Sequence, residues 1–450
     1  MNTSARLRAR TRAPVRLALA LFMAAACGAA IAQAPSQLDA PLVDHHQHLL
    51  SPQGAVLLNS PPDQPGLPPA VAKLLRAQET HWNDAEALAP LYSDDAVALD
   101  TFEFEWLQGP QEIAAHMARR FAREYDILPV AWHADERQGH LSALYSRGEG
   151  ENRKNVGVAM MRFVREDDQW RIALEHPVFP GPVMEQPLDA ARLVELLDAA
   201  GIQRAVVLSV GYWFQSPMFR AEDPVHATRE ENAWTAAQAA RFPDRLVAFC
   251  SLNPISDAAL ELLGDCARDD RFKGLKLHFA NSRADLTNPA HVERIRAVFA
   301  AANEAGLSIV VHARDGEDYG AAQARTFIED LLPAAPDVTV QMAHLWGGAA
   351  LAEDALQVYA EAVESGHPAT QRLFFDASDA AFAAGTLEIG EMLAARMRQI
   401  GLDRILYGSD GAFDGHPDPQ ASWQAFRTAI PFTDAEFALI KSNVAPYLRD

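Results

Sequence analysis

From about residue 188 onward the chain alternates two kinds of apolar pattern. LDAARLVELLDAAGI carries apolar residues at helical spacing, and the short apolar run RAVVLSV follows it. The alternation continues through RLVAFCSLNP, a helix around Ala258 to Cys266, then FKGLKLHF, LSIVVHAR, VTVQMAHL, RLFFDAS and RILYGSD, with helical stretches between. These runs predict seven strands, and PLVDHHQH at residues 41–48 supplies an eighth, the number that a closed βα barrel needs. The predicted fold class is α/β, a (β/α)8 TIM-type barrel built from residues 34–60 and 179–450.

A foreign segment, residues 68–178, separates the first strand from its helix. NSPPDQPGLPP opens it and HPVFPGPVMEQP closes it, both rich in the residue that ends regular structure. Inside, AVAKLLRAQETHWNDAEALAPLYSDDAVAL predicts a helix and QEIAAHMARRFARE a second. The remainder predicts antiparallel strands ending in VGVAMMRFVREDDQWRIALEH. The insert leaves from the loop after strand one, on the face where such barrels carry their chemistry. That places it as a lid, a specificity wall or a dimerisation element.

The first 32 residues follow a different logic. Five arginines (Arg6, Arg8, Arg10, Arg12, Arg16) and no acid precede the apolar run Leu17 to Ala26, and Ala30-Ile31-Ala32 offers a small-x-small cleavage site before Gln33. This predicts a bacterial-type secretory signal over residues 1–32 and a periplasmic or secreted product. The run is too short to span a bilayer, so the mature form is not expected to insert into a membrane. Lipidation at Cys27 is disfavoured, because Ala24-Ala25-Ala26 lacks a larger aliphatic residue. The formal charge of −21 becomes −26 when the five arginines are removed, which argues against nucleic acid or an anionic membrane as partner. Cys250 and Cys266, the two remaining cysteines, are too few for a disulfide framework and are expected as buried thiols rather than a bridge.

The chemistry gathers at strand ends. Along VDHHQH the two-residue period of a strand sends Asp44, His46 and His48 to one face, and two imidazoles at i and i+2 can reach one divalent cation. Strand four ends with Lys276 and His278, strand five with His312, strand six with His344 and strand eight with Asp410. In a closed barrel these ends converge. Imidazoles with one carboxylate suit a divalent metal, zinc first and manganese or iron(II) as alternatives, and such a metal lowers the pKa of the water it binds to about 7. Two further residues keep two readings each. Asp44 either orients a ligand histidine or bonds backbone, and Asp376 reads as a loop-capping carboxylate rather than a catalyst.

Two resemblances add to this. The helix followed by LYSDDAVAL, the GPQEIAAHM turn and helix, and the hairpin VREDDQWRIALEH are similar to the cone-shaped NTF2-like or SnoaL-like α+β fold. That resemblance implies a fold and leaves a homodimer open, but it assigns no function, since the family includes enzymes and binding modules alike. VDHHQH, GLKLHF, IVVHARD, VQMAHLWGG and LYGSDGAF resemble the amidohydrolase-2 branch of the amidohydrolase superfamily. The resemblance implies that His46, His48 and His312 bind one divalent metal. It further implies that Asp410 binds the metal or takes a proton from the attacking water, and that His344 polarises substrate or shuttles a proton.

Around this set the remaining residues stay open. Lys276 is either a carbamylated bridge between two metals or an unmodified lysine holding a substrate carboxylate. His278 is a substrate or supporting contact. Tyr212 and Trp213, with Phe214, form a substrate wall or ordinary packing. Arg314 binds an anionic group or pairs with Asp315 or Asp318. His81, His116, His133, His140 and His176 of the insert are expected to be structural or surface residues. The function expected is hydrolysis of an amide, ester or lactone bond in a small molecule. Decarboxylation or hydration of aromatic-acid substrates is the alternative that the same resemblance implies, and a non-catalytic ligand-binding role is the third.

Overall fold

The computed structural model describes residues 40–59, 65–100, 105–120, 125–147, 154–178, 187–217, 221–314, 316, 319–348, 350–411 and 418–449. The signal segment with Cys27 and Gln33, linker residues 60–64 and 179–186, and Asp315 and Asp318 lie outside the described residues.

Among the described residues fourteen strands fall into two sheets. β1 (Val43–His48) opens the first; β2 (Tyr92–Asp100), β3 (Glu105–Gln108), β4 (Asp126–Ala134), β5 (Gln138–Arg147), β6 (Lys154–Glu166) and β7 (Gln169–Val178) make the second. The first sheet then continues through β8 (Arg204–Leu208), β9 (Leu246–Ser251), β10 (Phe272–His278), β11 (Ser308–His312), β12 (Val340–Met342), β13 (Leu373–Asp376) and β14 (Ile405–Leu406).

Every neighbour pair in the order β1-β8-β9-β10-β11-β12-β13-β14 is parallel. The two edges meet through His45 N–H to Tyr407 O, Asp410 N–H to His46 O and His48 N–H to Gly411 O, each 2.8 Å, so the sheet closes into a barrel. Because its strands are covered on both faces, they read as apolar runs rather than as strict alternations. Several of the helices between them begin on side-chain caps. Asp189 accepts the N–H of Arg192 at the start of Ala190–Ala200, and Asp223 that of His226 ahead of Pro224–Ala240, which has Pro in its first turn. One large core lies between strands and helices. A second and smaller one joins Val43, Val206, Leu208, Phe249 and Val310 to Leu448.

The insert is α+β, with strand order β3-β2-β7-β6-β5-β4. Helices Pro69–Thr80 and Pro110–Arg120 bury Val71, Leu74, Leu75, Ile113, Ala114 and Met117 in its core. One expectation is corrected here. The long helical reading stops at Thr80, and Asp84 caps a new short helix, Ala85–Leu88; DDAVAL is part of β2. Pairing on both sides of β2 overrides its local helix propensity. The strands read as antiparallel do pair so, β4 with β5, β5 with β6 and β6 with β7, and β2 joins β7 in parallel. Inside, the buried Glu175 carboxylate accepts hydrogen bonds from Tyr92, Tyr145 and Gln78, which satisfies a group that burial alone would make costly. The five histidines of the insert are half-buried or exposed.

The chain on either side of the insertion meets. Leu50 N–H donates to Leu188 O at 3.1 Å and Leu188 N–H to Leu50 O at 3.0 Å, an antiparallel bridge just beyond β1. The expectation of two buried thiols is also corrected, because Cys250 of β9 and Cys266 of helix Ala259–Ala267 form a disulfide. Both are buried and their Cα atoms are 6.2 Å apart, within bridging reach. Among the described residues no helix is long and apolar enough to cross a membrane.

Beside the insertion point, Ser51 donates to one oxygen of the buried Glu231 on helix Pro224–Ala240. The other oxygen has no hydrogen-bond partner among the described residues. Burial, only partly offset by Ser51, raises the Glu231 pKa from 4.5 to about 7. Below the ordinary value the carboxyl is protonated whether the chain is folded or not, and its contribution is fully present. As pH rises towards 7 the unfolded chain ionises first, and stability is lost. Glu231→Gln should therefore gain about 3 kcal/mol on the wild type between pH 4 and pH 8. Urea unfolding of both proteins at the two pH values reads this, and an unchanged difference would refute it.

Candidate metal centre

The strand ends deliver their side chains to one point, but not by simple alternation. Between Asp44 and Gln47 three steps along β1 face two along β8, a bulge in the register. His46 and His48 still converge: the Nε2 atoms lie 3.1 Å and 3.3 Å from Asp410 Oδ1. Asp44 does not join them. Its carboxylate accepts the backbone N–H of His46 and of Ser409 and the side-chain amide of Gln47, so of its two readings the backbone one holds. His45 faces away, with Nδ1 at 3.0 Å from Tyr407 O.

The partners of each ring fix where its proton sits. His46 Nδ1 is 3.0 Å from Asp376 Oδ2 and donates to it. His48 Nδ1 donates to Leu208 O at 2.8 Å. Ser378 gives its only hydroxyl proton to Asp376, so toward His344 Nδ1, 3.0 Å away, it can act only as acceptor; Asp379 Oδ2 accepts at 3.3 Å on the same side. Three imidazoles thus commit Nδ1–H outward and turn the Nε2 lone pair toward Asp410. Lone pairs that converge on a carboxylate need a positive charge between them, and the outward pattern is the one that metal-binding histidines adopt. Donor atoms of His46, His344 and Asp410 lie within 4.8 Å of one another. Asp410 is 28 % exposed at its side chain and marks the open side. The residues present fit a divalent ion of the nitrogen-and-oxygen type.

Charge balance follows from the same contacts. Burial and Lys276 oppose protonation of His46, but Asp410 and Asp376 outweigh them and raise its pKa to about 9, so a proton and a cation compete for its Nε2 lone pair. Lys276 Nζ is 3.1 Å from His46 Nε2, and two positive charges at that distance repel. Burial pushes Lys276 down to about 8, with the two carboxylates working against it. Burial opposes ionisation of Asp376 and Asp410, yet their histidine partners hold both well below the ordinary carboxylate range. His48 is lowered to about 4, chiefly by burial, and His278, His312 and His344 also shift down for that reason.

His312 stands next to the group rather than within its tightest part. Its ring is 5.0 Å from that of His344 and stacks on His278 at 3.8 Å. Gly348, at φ +113°, makes room for it, because a Cβ there would lie 2.0 Å from His312 Cε1. His278 Nδ1 accepts the N–H of Asn281, which leaves Nε2–H as a donor. Tyr212, on the short helix Gly211–Gln215, lies 5.2 Å from His278, with Trp213 edge-on to it at 6.1 Å. Arg314 is turned elsewhere, donating to Ala350 O at 2.8 Å.

Sequence reasoning saw Asp376 only as a loop cap. It does accept the N–H of His344 and of Ser378, but it also orients His46 and accepts from Gln341. Ser378 and Asp379 were missed altogether, since nothing in DASDAAF sets them apart until the fold brings His344 beside them. Backbone conformation is a further signal that sequence does not carry. Among the described residues, four of the seven non-glycine residues with positive φ are Asp410, His344, Leu345 and Asp379, and such strain persists where surrounding contacts over-determine it.

Asp376→Ala should weaken Mn2+ or Zn2+ binding by about 10- to 100-fold, the usual effect of losing the carboxylate behind a ligand histidine. Titration calorimetry on folded protein measures it, and unchanged affinity would remove Asp376 from the site.

A family model described as amidohydrolase matches residues 43–443. No curated protein matches. Among solved structures, the chain is similar to 2,6-dihydroxybenzoate decarboxylase from Rhizobium, with 18% identity, 58% of this chain and 87% of that one covered, and a TM-score of 0.41. It is also similar to 5-carboxyvanillate decarboxylase from Novosphingobium aromaticivorans with bound manganese, at 15% identity over 58% of this chain and 80% of that one, TM-score 0.40. An NTF2-like protein of Shewanella oneidensis is matched at 17% identity over 24% of this chain and 95% of that one, TM-score 0.21.

Proposed function

The chain belongs to the amidohydrolase family, and on that premise we propose that it is an exported, metal-dependent hydrolase of an amide, ester or lactone bond in a small molecule. The observation that carries this reading is the convergence of three Nε2 lone pairs, with their Nδ1 protons committed outward, on the Asp410 carboxylate. His46, His48 and Asp410 would hold one ion, with His312 and His344 as the rings beside it. Zinc suits the donors best, and manganese and iron(II) are accepted by the same set. When bound, such an ion supplies a Lewis acid and makes water nucleophilic at neutral pH.

The residues do the rest. Asp410, held ionised and open to one side, accepts a proton at Oδ from attacking water. His344, whose Nδ1–H is fixed by Ser378 and Asp379, presents Nε2 toward the substrate and can carry a proton to the leaving group. His278 offers Nε2–H to a substrate oxygen, and Tyr212 and Trp213 exclude water from one wall. Export is supported by the features of residues 1–32 and by the paired Cys250 and Cys266, which suit an oxidising compartment. We further propose a homodimer, which the NTF2-like resemblance of the insert supports.

One observation favours decarboxylation of an aromatic acid as a second reading. The Tyr212 ring packs on His278 and the Lys276 amine stands beside His46, so the cluster is bordered by an aromatic face and an amine, the two groups that an aromatic carboxylate would need.

The mature protein loaded with Zn2+ or Mn2+ should hydrolyse at least one member of a panel of esters, lactones and amides, with His344→Asn lowering kcat by about 10²- to 10⁴-fold. Release of carbon dioxide from aromatic acids, with no hydrolysis, would reverse the order of the two readings.

A further inference from the structure

Behind His46 the hydrogen bonds do not stop at Asp376. The same Oδ2 that accepts from His46 also accepts from Gln341 Nε2 at 2.8 Å. Gln341, buried in the middle of β12, gives its second amide proton to His45 O at 3.2 Å, and its Oε1 accepts the hydroxyl of Tyr447 at 2.6 Å. Both amide protons and the carbonyl therefore have partners, and the side chain can sit only one way round. Tyr447 belongs to the short turn Pro446–Leu448. That turn is anchored on the barrel by Ala445 N–H to His45 Nε2 at 3.1 Å and by Arg204 Nη1 to Leu448 O at 3.1 Å. Leu448 packs with Val43, Val206, Leu208, Phe249 and Val310, and the Tyr447 ring lies edge-on to Phe249 at 5.1 Å.

We infer that Tyr447 is a positioning residue of the metal site, acting through Gln341 and Asp376 on the ring of His46. The inference rests on the metal reading above and goes beyond it by extending the site to residues 445–448. Its physical content is directional. Without the Tyr447 hydroxyl, Gln341 Oε1 is a buried acceptor with no donor, and the amide is free to turn from Asp376 in search of one. Asp376 then loses a donor that fixes its plane, and His46 Nε2 is aimed less well. A purely structural turn would lower stability when altered and leave ion binding alone.

The test is a double-mutant cycle read as Mn2+ affinity of the full chain, in competition with a chelator, with thermal unfolding measured in parallel. Tyr447→Phe keeps the ring and removes only the hydroxyl; we expect Kd to rise about three- to tenfold. Gln341→Leu should raise it about 10- to 100-fold, as loss of the direct partner of Asp376. The double variant should bind no more weakly than Gln341→Leu alone, because the hydroxyl acts only through the amide. An unchanged Kd in Tyr447→Phe, with or without a lower Tm, overturns the inference, and so do additive effects in the double variant. Should Tyr447→Phe fail to fold, unchanged affinity in Gln341→Leu overturns it instead. A wild type that binds no Mn2+ or Zn2+ removes the metal reading itself, a result distinct from a wild type that binds and a variant that binds equally well.

Discussion

His46 is held between two carboxylates, Asp376 on Nδ1 and Asp410 on Nε2, and the upper part of the barrel is arranged around that ring. A buried imidazole between two anions, Asp376 buried and Asp410 partly exposed, is stable only if the cluster keeps its positive charge and the buried anion has further donors. Asp376 therefore takes the backbone N–H groups of His344 and Ser378 and the Gln341 amide, while Asp410 stays partly open beside the Nε2 of His48. Gly408, following β14, lets that strand approach, since a Cβ there would lie 2.7 Å from the Cβ of His46. The strained backbone at Asp410 and His344 is the local cost of this arrangement, about 1–3 kcal/mol per residue. The barrel's closing hydrogen bonds, which run through the backbone of His46 and Asp410, hold both in place.

Each residue of VDHHQH has a separate task. Val43 fills the small inner core, Asp44 ties backbone, His45 anchors the segment at residue 445, Gln47 holds Asp44, and His46 and His48 face the site. The strand pattern made the two outer histidines of the H-x-H legible. It could not reveal the bulge, because the pairing register of β8 decides it.

Legibility elsewhere followed the same division. The apolar runs gave eight strands because burial on both faces leaves a mark in composition. The residues at their C-terminal ends could then be placed on one face by topology alone. DASDAAF hid Asp379 and Ser378, since a carboxylate in a loop looks alike whether it caps a turn or orients a histidine. In the insert, β2 looked helical because Ala96 and Ala98 suit either state, and only cross-strand neighbours choose between them. The Cys250–Cys266 pair escaped for a similar reason: two cysteines state no distance until strand β9 and the following helix are packed.

The bridge between Leu50 and Leu188 bears on the order in which the molecule can fold. β1 must find β8 across the whole length of the insertion, and a contact so distant in sequence is slow to form from an open chain. Once the insert has folded, the loop still to be closed shrinks to the segments that flank it, residues 49–67 and 179–203, which the Leu50–Leu188 bridge ties together. The inserted domain then works as a clasp in assembly: it shortens the loop that the pairing of β1 with β8 has to close.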